Sequence, residues 1–311
     1  MKLSLIVPCY NEAENIRAFH NAVMSAFSGC GYDYELIYID DGSKDPTMHE
    51  LRKIYKEHAC NIKIISFSRN FGKEAGIYAG LKQAEGDYVS LIDADLQQRP
   101  EIVLNMVNIL EKKPQYDIVA AYQDRRREGK ILSLFKKAFY SIINRLSNVK
   151  LRSDASDFRT FRRSVAESIV ELCEYHRFSK GIFAWVGYNT CYIPYVAEKR
   201  KAGKTKWSFP KLLNYAIEGI IGYSTKPLRI ASVMGVLSAF AAFLYLIVVV
   251  LQKLIAGIAI PGYATVIALI LFLGGMQLLC IGIIGEYVGR TFEQSKNRPI
   301  YIAKEMLGCD K

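Results

Sequence analysis

The 311-residue chain has seven cysteines but no Cys-x-x-Cys pair, and its four histidines form no cluster. That argues against a structural zinc site and against a disulfide framework, and it fits a reducing compartment. The familiar phosphate cradles are missing too. No G-x-G-x-x-G follows the first apolar run, and no G-x-x-x-x-G-K-[ST] occurs anywhere. A dinucleotide enzyme and a P-loop NTPase are therefore not indicated, and any diphosphate is expected to be held by a metal ion and basic side chains. Acidic residues are in short supply, with Asp+Glu 30 against Lys+Arg 41, a net charge of +11. Such an excess suits nucleic acid, anionic lipid or phosphorylated substrates. No signal peptide is expected. The apolar run Leu3 to Cys9 is too short, lacks a small-residue cleavage site and meets Asn11-Glu12 at once.

What is present is a repeated alternation of strand and helix. Leu3 to Val7 reads as a strand stopped by Pro8, followed by a helical pattern through Ile16, Phe19, Val23 and Phe27. Asn11 is placed to cap that helix, with Glu14 completing a capping box. Tyr34 to Ile39 is a second strand, Met48 to His58 a helix and Ile62 to Phe67 a third strand. Gly72-Lys73 opens a helix through Ala84, where free N–H groups can face an anion. This order is the signature of a βαβ sheet. Later segments continue it, with a helix at Val103 to Leu110 and strands at Asp117 to Ala121 and Thr190 to Tyr195.

The chain is organised around residues 86–100, GDYVSLIDADLQQRP. Tyr88 to Ile92 reads as a buried strand ending on Asp93-Ala94-Asp95. Alternation along an extended chain would aim both carboxylates the same way, at the end of the sheet where α/β proteins bind ligands. Two carboxylates held together repel unless a cation lies between them, and hard oxygen donors favour Mg²⁺ or Mn²⁺. A solvated turn after a strand is the plainer alternative.

Four motifs then occur in order: Pro8-x-Tyr10-Asn11-Glu12, Asp40-Asp41-Gly42-Ser43, Asn70-x-Gly72 and Asp93-Ala94-Asp95-Leu96-Gln97. Together they resemble the inverting glycosyltransferases of family 2, and the Asp-Ala-Asp-Leu-Gln variant resembles the branch that loads a sugar onto polyprenyl phosphate. The resemblance implies a GT-A fold, a Rossmann-like mixed α/β sheet, as catalytic domain. It implies nucleotide-sugar contacts at Pro8, Tyr10, Glu12, Asp40, Asp41, Lys73 and Asp93, and Mg²⁺ or Mn²⁺ on Asp93, Asp95 and Gln97. Asp154-Ala155-Ser156-Asp157-Phe158-Arg159 resembles the family's acceptor-side motif, which makes Asp157 a base or a positioning group beside Arg159; a turn that caps the next helix is the alternative. Arg200-x-x-Gly203-x-Thr205-Lys206 resembles a loop that closes over phosphates. Arg125, Arg127, Arg159, Arg177, Arg200 and Lys206 are the expected acceptor-phosphate contacts, with Asp157, Arg159 and Lys206 expected to be catalytic. One departure is Asp124, which stands where relatives often carry the first Arg of an Arg-x-x-Arg pair. His176, alone beside an aromatic, reads as structural.

The C-terminal third is different in kind. Residues 230–252 and 254–285 contain no charged residue, and a bilayer core needs about 20 apolar residues per helix. Two spans are expected, at Ile230–Leu251 and Tyr263–Gly285. Lys and Arg are dense in 199–229 and recur at Arg290, Lys296, Arg298 and Lys304, whereas the connecting loop has only Lys253. The positive-inside rule then puts both termini and the catalytic domain in the cytoplasm, at a plasma or inner membrane. Gly274, Gly275 and Gly282 leave room for close helix packing and homo-oligomers. Ile131 to Val149 has a helical apolar face with Lys136, Lys137 and Arg145 off it; it is either an interfacial helix or an ordinary helix over the sheet. The expected organisation is a catalytic domain at 1–208, a juxtamembrane segment at 209–229, the two spans at 230–287 and a cytoplasmic tail at 288–311. Two spans ending in Gly285-Glu286-Tyr287-x-Gly289-Arg290 extend the resemblance to the bactoprenol glucosyltransferase subgroup.

The expected reaction is transfer of a hexose, glucose from a UDP sugar, to polyprenyl phosphate with inversion. Nucleic acid is not an expected partner. A processive polysaccharide synthase is the first alternative, but neither Trp185 nor Trp207 is preceded by Arg, as that type's Gln-x-x-Arg-Trp motif would require. A non-catalytic nucleotide-sugar-binding scaffold is the second, and the intact carboxylates argue against it.

Overall fold

The computed structural model describes residues 1–123, 144, 145, 149, 152, 155–198, 219–256 and 262–309. Eight strands form one mixed sheet: β1 (Lys2–Cys9), β2 (Asp33–Asp40), β3 (Ile62–Phe67), β4 (Tyr88–Leu91), β5 (Ile118–Gln123), β6 (Ala155–Arg162), β7 (Thr190–Tyr195) and β8 (Ala303–Leu307). Their spatial order is β7-β5-β6-β4-β1-β2-β3-β8. The helices of the domain are α1 (Ala13–Phe27), α2 (Thr47–Glu57), α3 (Lys73–Gln83), α4 (Glu101–Lys112), α5 (Arg163–Glu171) and α6 (Ser179–Trp185).

Strand alternation sorts the core into two layers. Leu3, Leu5 and Val7 of β1 pack with Ile16 and Phe19 of α1, Leu51 of α2 and Val103 of α4. Ile6 points to the opposite face, where Ile77 of α3, Val165 of α5 and Ile182 of α6 cover it. Both faces of β1 to β4 are thus buried, which is why these strands read as continuous apolar runs. Each fully buried Leu, Ile or Phe contributes roughly 1.5–3 kcal/mol relative to exposure.

Pro8 does not stop β1, which pairs with β2 through Cys9↔Asp40. The Ile6 carbonyl accepts the Ile92 N–H, so even-numbered residues of β1 direct their backbone groups toward β4. Pairing with β4 ends at Ile6↔Leu91, and the N–H that Pro8 lacks has no ladder position to fill.

The capping box is also corrected. Asn11 adopts φ 53°, and its carboxamide oxygen accepts the Lys44 N–H at 2.9 Å. The first N–H groups around α1 go instead to Thr47 Oγ1, from Glu12 at 2.9 Å, and to Asp45 Oδ2, from Ala13 at 3.1 Å. The cap is supplied by the loop after β2, not by the residue preceding the helix.

Two strands have no counterpart in the sequence reading. β6 inserts antiparallel between β4 and β5. β8 pairs antiparallel with β3, so the segment expected to be a cytoplasmic tail returns to the sheet and forms its edge. Tyr301 stacks on Phe67 with ring centroids 4.9 Å apart, and Arg52 pairs with Glu305.

Two long helices, α7 (Lys226–Ala256) and α8 (Tyr263–Ser295), form the C-terminal hairpin. Within them, Lys226–Gln252 and Thr265–Ser295 are each long and apolar enough to cross a membrane, and neither is buried in protein. Leu237, Phe240, Phe272 and Leu278 stand 60 % or more exposed, an apolar surface suited to a bilayer. This is a membrane protein. The open ends of the hairpin lie against the domain. Tyr287 donates its hydroxyl to the Ser224 carbonyl at 2.6 Å, and the Gln294 side chain bonds the Tyr175 N–H and the Cys173 carbonyl. A Cβ on Gly274, Gly275 or Gly282 would meet nothing within 4 Å, so these glycines do not serve packing inside the hairpin.

Candidate active site

Strand register builds the site. β4 and β6 pair as Tyr88↔Arg162 through Leu91↔Arg159. Continued two residues past Leu91, that register sets Asp157 opposite Asp93. Lys73, the first residue of α3, lies between them, with Nζ 2.7 Å from Asp93 Oδ1 and 3.3 Å from Asp157 Oδ2. One ammonium is therefore shared by two carboxylates, one in the turn after β4 and one in β6. Burial alone would raise the Asp157 carboxyl, but Lys73, with Lys180 and Arg159 adding to the field, holds it down at about 2. The same two carboxylates raise the Lys73 ammonium against the opposing effect of burial.

The Asp93–Asp95 segment is not extended as the alternation argument expects. β4 ends at Leu91, the chain turns at Ala94-Asp95, and Leu96 takes φ 60°. What fixes Asp93 is Gln98, whose Nε2 donates to Asp93 Oδ2 at 3.1 Å while its Oε1 accepts the Asp93 N–H at 2.9 Å. Gln98 is buried and was given no role in the sequence reading. Gln97 is positioned through its N–H, which donates to Asp95 Oδ1 at 3.1 Å. Pro8, Lys73, Asp93, Gln98, Asp157 and Phe158 line one small pocket.

The second acidic motif holds the loop that carries Lys73. Asp41 accepts the Phe71 N–H at 2.6 Å and the Gly72 N–H at 3.0 Å. Burial pushes its carboxyl up to about 6, and those two bonds oppose the rise. Asp40 accepts the Ser66 hydroxyl at 2.8 Å and the Ser43 N–H at 3.1 Å, and it is buried. Gly42, at φ 64°, lets the two loops touch, since a Cβ there would lie 2.4 Å from the Arg69 backbone. Asp40 and Asp41 thus tie loops together, and Tyr10 and Glu12 stand half-buried beside them.

Two of the expected arginines are held by protein groups close to this cluster. Arg159 is buried, with its guanidinium 4.1 Å from the Phe183 ring centroid and Nη2 donating to the Ser156 carbonyl at 2.9 Å. Arg177 donates to the carbonyls of Leu172 and Ile169 at the end of α5, at 2.6 and 3.2 Å, and stacks over Tyr78. His176 pairs with Glu293 of α8. Arg125, Arg127, Arg200 and Lys206 fall outside the described residues, as do most of the expected interfacial helix at 131–149 and residues 199–218.

The donor set suits a hard cation shared with substrate. Mg²⁺ is held by one or two carboxylates plus substrate phosphates more often than by an all-protein cage. Asp95 and Asp93 supply such oxygens. Among the described residues no three His, Cys, Asp or Glu side chains converge on a metal position.

Glu74, next along α3, was also missed. Its carboxylate accepts both the N–H and the hydroxyl of Ser179, holding the start of α6. Burial, reinforced by the nearby Asp157 charge, pushes it up to about 7 while the Ser179 bonds oppose. An acid raised in the folded state stabilises fully below its unfolded value and loses that contribution as pH climbs through the folded one. The melting temperature of the detergent-solubilised protein is therefore expected to fall as pH rises from about 4.5 to about 7, and Glu74→Gln is expected to flatten that slope. An equal slope in the variant would show that Glu74 is not its source.

Residues 4–170 match the family described as Glycosyl transferase family 2, and residues 226–291 match the GtrB C-terminal hairpin. The chain is 39% identical over 98% of its length to the prophage bactoprenol glucosyl transferase homolog of Escherichia coli (strain K12), covering 99% of that protein. It is 38% identical to the bactoprenol glucosyl transferase of Shigella phage SfV, covering 98% of each. Among solved structures, mannosyl-3-phosphoglycerate synthase from Rubrobacter xylanophilus superposes with a TM-score of 0.50 over 70% of this chain and 71% of that one, at 15% identity. That likeness concerns the fold alone, which is the GT-A-like mixed α/β sheet.

Proposed function

Because the chain belongs to glycosyl transferase family 2 and carries the GtrB hairpin, we propose that it transfers glucose from UDP-glucose to polyprenyl phosphate, with inversion, at a membrane surface. The observation that carries this reading is the junction of two features. Lys73 of the Asp93–Lys73–Asp157 cluster borders a cavity whose far wall is the open end of an apolar membrane hairpin. A water-soluble acceptor needs no such anchor, whereas a lipid phosphate arrives only at the bilayer.

In this reading the lipid phosphate oxygen attacks the anomeric carbon opposite the departing nucleoside diphosphate. The new carbon–oxygen bond forms as the old one breaks, and the configuration inverts. A phosphate monoester is already ionised near pH 7, so no base is required. Asp157, held at about 2, stays a carboxylate throughout and is too weak a base to take a proton at neutral pH. Its role is to fix Lys73. Lys73 directs positive charge at the region where phosphates meet, and Gln98 keeps Asp93 in register with it. Asp41 holds the Phe71-Gly72 turn from which α3 starts. Mg²⁺ or Mn²⁺ on Asp95, with Asp93 and Gln97 beside it, would supply further neutralisation of the leaving diphosphate.

The direct test uses membranes containing the chain, radiolabelled UDP-glucose and undecaprenyl phosphate. Label is expected in a lipid product that needs both reactants. Label in a glycan polymer, or none with any nucleotide sugar, would overturn the reading.

Orientation follows from the charges and from β8. Both ends of the hairpin meet the domain, and the positive flanks support a cytoplasmic position for that side. Tags before Met1 and after Lys311 are expected to be cytoplasmic, with a cysteine introduced near Pro261 labelled by an impermeant reagent from outside. Labelling of the tags instead would reverse the assignment.

A further inference from the structure

The chain leaves the hairpin on a course that returns it to the neighbourhood of Lys73. α8 ends at Ser295, Asn297 takes the left-handed region at φ 45°, and Pro299 cannot resume the helix. Residues 299–303 then run along the end of β3, where Ala303 pairs with Phe67 across an irregularity in the ladder. Tyr301 sits in this stretch and belongs to none of the sequence motifs above.

The Tyr301 ring touches the chain on both sides of Lys73. Ahead of it, Tyr301 stacks on Phe67 at an interplanar angle of 22°, and Phe67 in turn meets Phe71 edge-on with centroids 5.8 Å apart. Beyond it, Tyr301 meets Tyr78 of α3 edge-on at 6.4 Å. Both geometries are ones that aromatic pairs prefer. Next to Tyr301, the Ile302 carbonyl accepts the Ser68 N–H at 3.0 Å. Between these contacts Ser68, Arg69 and Asn70 are exposed, so the loop has little packing of its own. Asp41 fixes its far end through the Phe71 and Gly72 N–H groups. Tyr301 and Ile302 fix its start.

The plainer account is that Tyr301 covers the edge of the core to which Phe67 belongs. Two observations favour more. Its ring reaches both the strand before the loop and the helix after it, and Ile300 beside it lines the same cavity as Lys73. Lys73 Nζ must stand within reach of Asp93 and Asp157 at once, and a shift of about 1 Å in a positioned group can cost about a hundredfold in rate. We propose that Tyr301 is a positioning residue for the reaction: with Ile302 it straps the Ser68–Gly72 loop and the first turns of α3 to the segment after the hairpin, and so sets the place of Lys73. This deepens the transferase reading and rests on it for what Lys73 does.

The test uses the full-length protein in lipid vesicles, with UDP-glucose and undecaprenyl phosphate. Tyr301→Leu keeps an apolar side chain without the ring, and it is expected to lower kcat about tenfold while both KM values stay within about threefold. Tyr301→Phe restores the ring and is expected to recover kcat to within about twofold of wild type. In a Lys73→Met background, Tyr301→Leu is expected to cost less than about twofold more, because the group it positions is already gone. An equal loss in both backgrounds overturns the proposal, since it would show that Tyr301 supports the domain in general. Glu305→Gln breaks the Arg52 pair farther along β8 and is expected to leave kcat unchanged. A loss as large as that of Tyr301→Leu would assign the effect to β8 docking and overturn the role of the ring. Amide hydrogen exchange needs no turnover. In Tyr301→Leu the Ser68, Phe71 and Gly72 amides are expected to exchange about tenfold faster, with those of β1 and β2 unchanged. Unaltered exchange in the loop overturns the strap. Faster exchange upholds it even where no sugar is transferred, so failure of the transferase reading is told apart from failure of this one.

Discussion

Lys73→Met is expected to lower transfer by roughly a hundredfold or more. Hydrogen bonds to charged groups contribute about 1.5–3 kcal/mol each, and about 1.4 kcal/mol is a factor of ten in rate. Lys73 makes two such contacts, to Asp93 and Asp157. Without it the two carboxylates face each other across the site with no shared cation, and an incoming phosphate meets their uncompensated charge. The fold is expected to survive, because the Lys73 side chain is 43% exposed and solvent screens much of the lost pairing. Three measurements separate this account from general damage. Melting temperature should change little. The double variant Lys73→Met with Asp157→Asn should be more active than Lys73→Met alone, because one of the repelling charges is gone. In wild type, no activity step should arise from Asp157 titration above pH 4, since its carboxyl is held at about 2. A double variant no better than the single one would show that the shared ammonium is not what organises these carboxylates.

Asp95→Asn is expected to remove nearly all transfer, by a hundredfold or more. A neutral amide is a poor ligand for a hard cation, while its oxygen can still accept the Gln97 N–H that Asp95 receives at 3.1 Å. The substitution therefore changes charge and leaves the turn intact. The Mg²⁺ or Mn²⁺ concentration for half-maximal rate should rise steeply in the variant. Excess EDTA should silence the wild type, with activity restored by added metal. Transfer at the wild-type rate in the variant, or in EDTA, would remove the metal from the mechanism.

Much of the fold was legible because it follows local rules. β3 and β7 lie where the apolar runs placed them, and the first four strands alternate with helices as expected. The first four strands are buried on both faces, so their apolar character needs no partner to be read. The hairpin was legible for a similar reason, since a bilayer demands a length and a composition and both are written in consecutive residues. The errors came where a local signal was overridden. Asn11 had the right chemistry for a helix cap, but its left-handed backbone turns the side chain toward Lys44, and Asp45 and Thr47 take the capping role from another loop. Arg159 and Arg177 were expected at phosphate, and what the sequence did not show is how they are held: their guanidinium groups donate to backbone carbonyls and stack on Phe183 and Tyr78.

By itself the sequence determined the order of strands and helices, the family motifs and the two membrane spans, because periodicity and hydropathy act over a few residues at a time. Only the tertiary structure decided which charges meet. Lys73 and Asp157 are 84 positions apart, and Arg52 and Glu305 are 253 apart. Those pairs depend on the insertion of β6 beside β4 and on the return of β8 to β3, and sheet register has no local signature. An ion pair forms where the fold brings opposite charges from distant segments within reach, and that approach is a property of the folded chain alone.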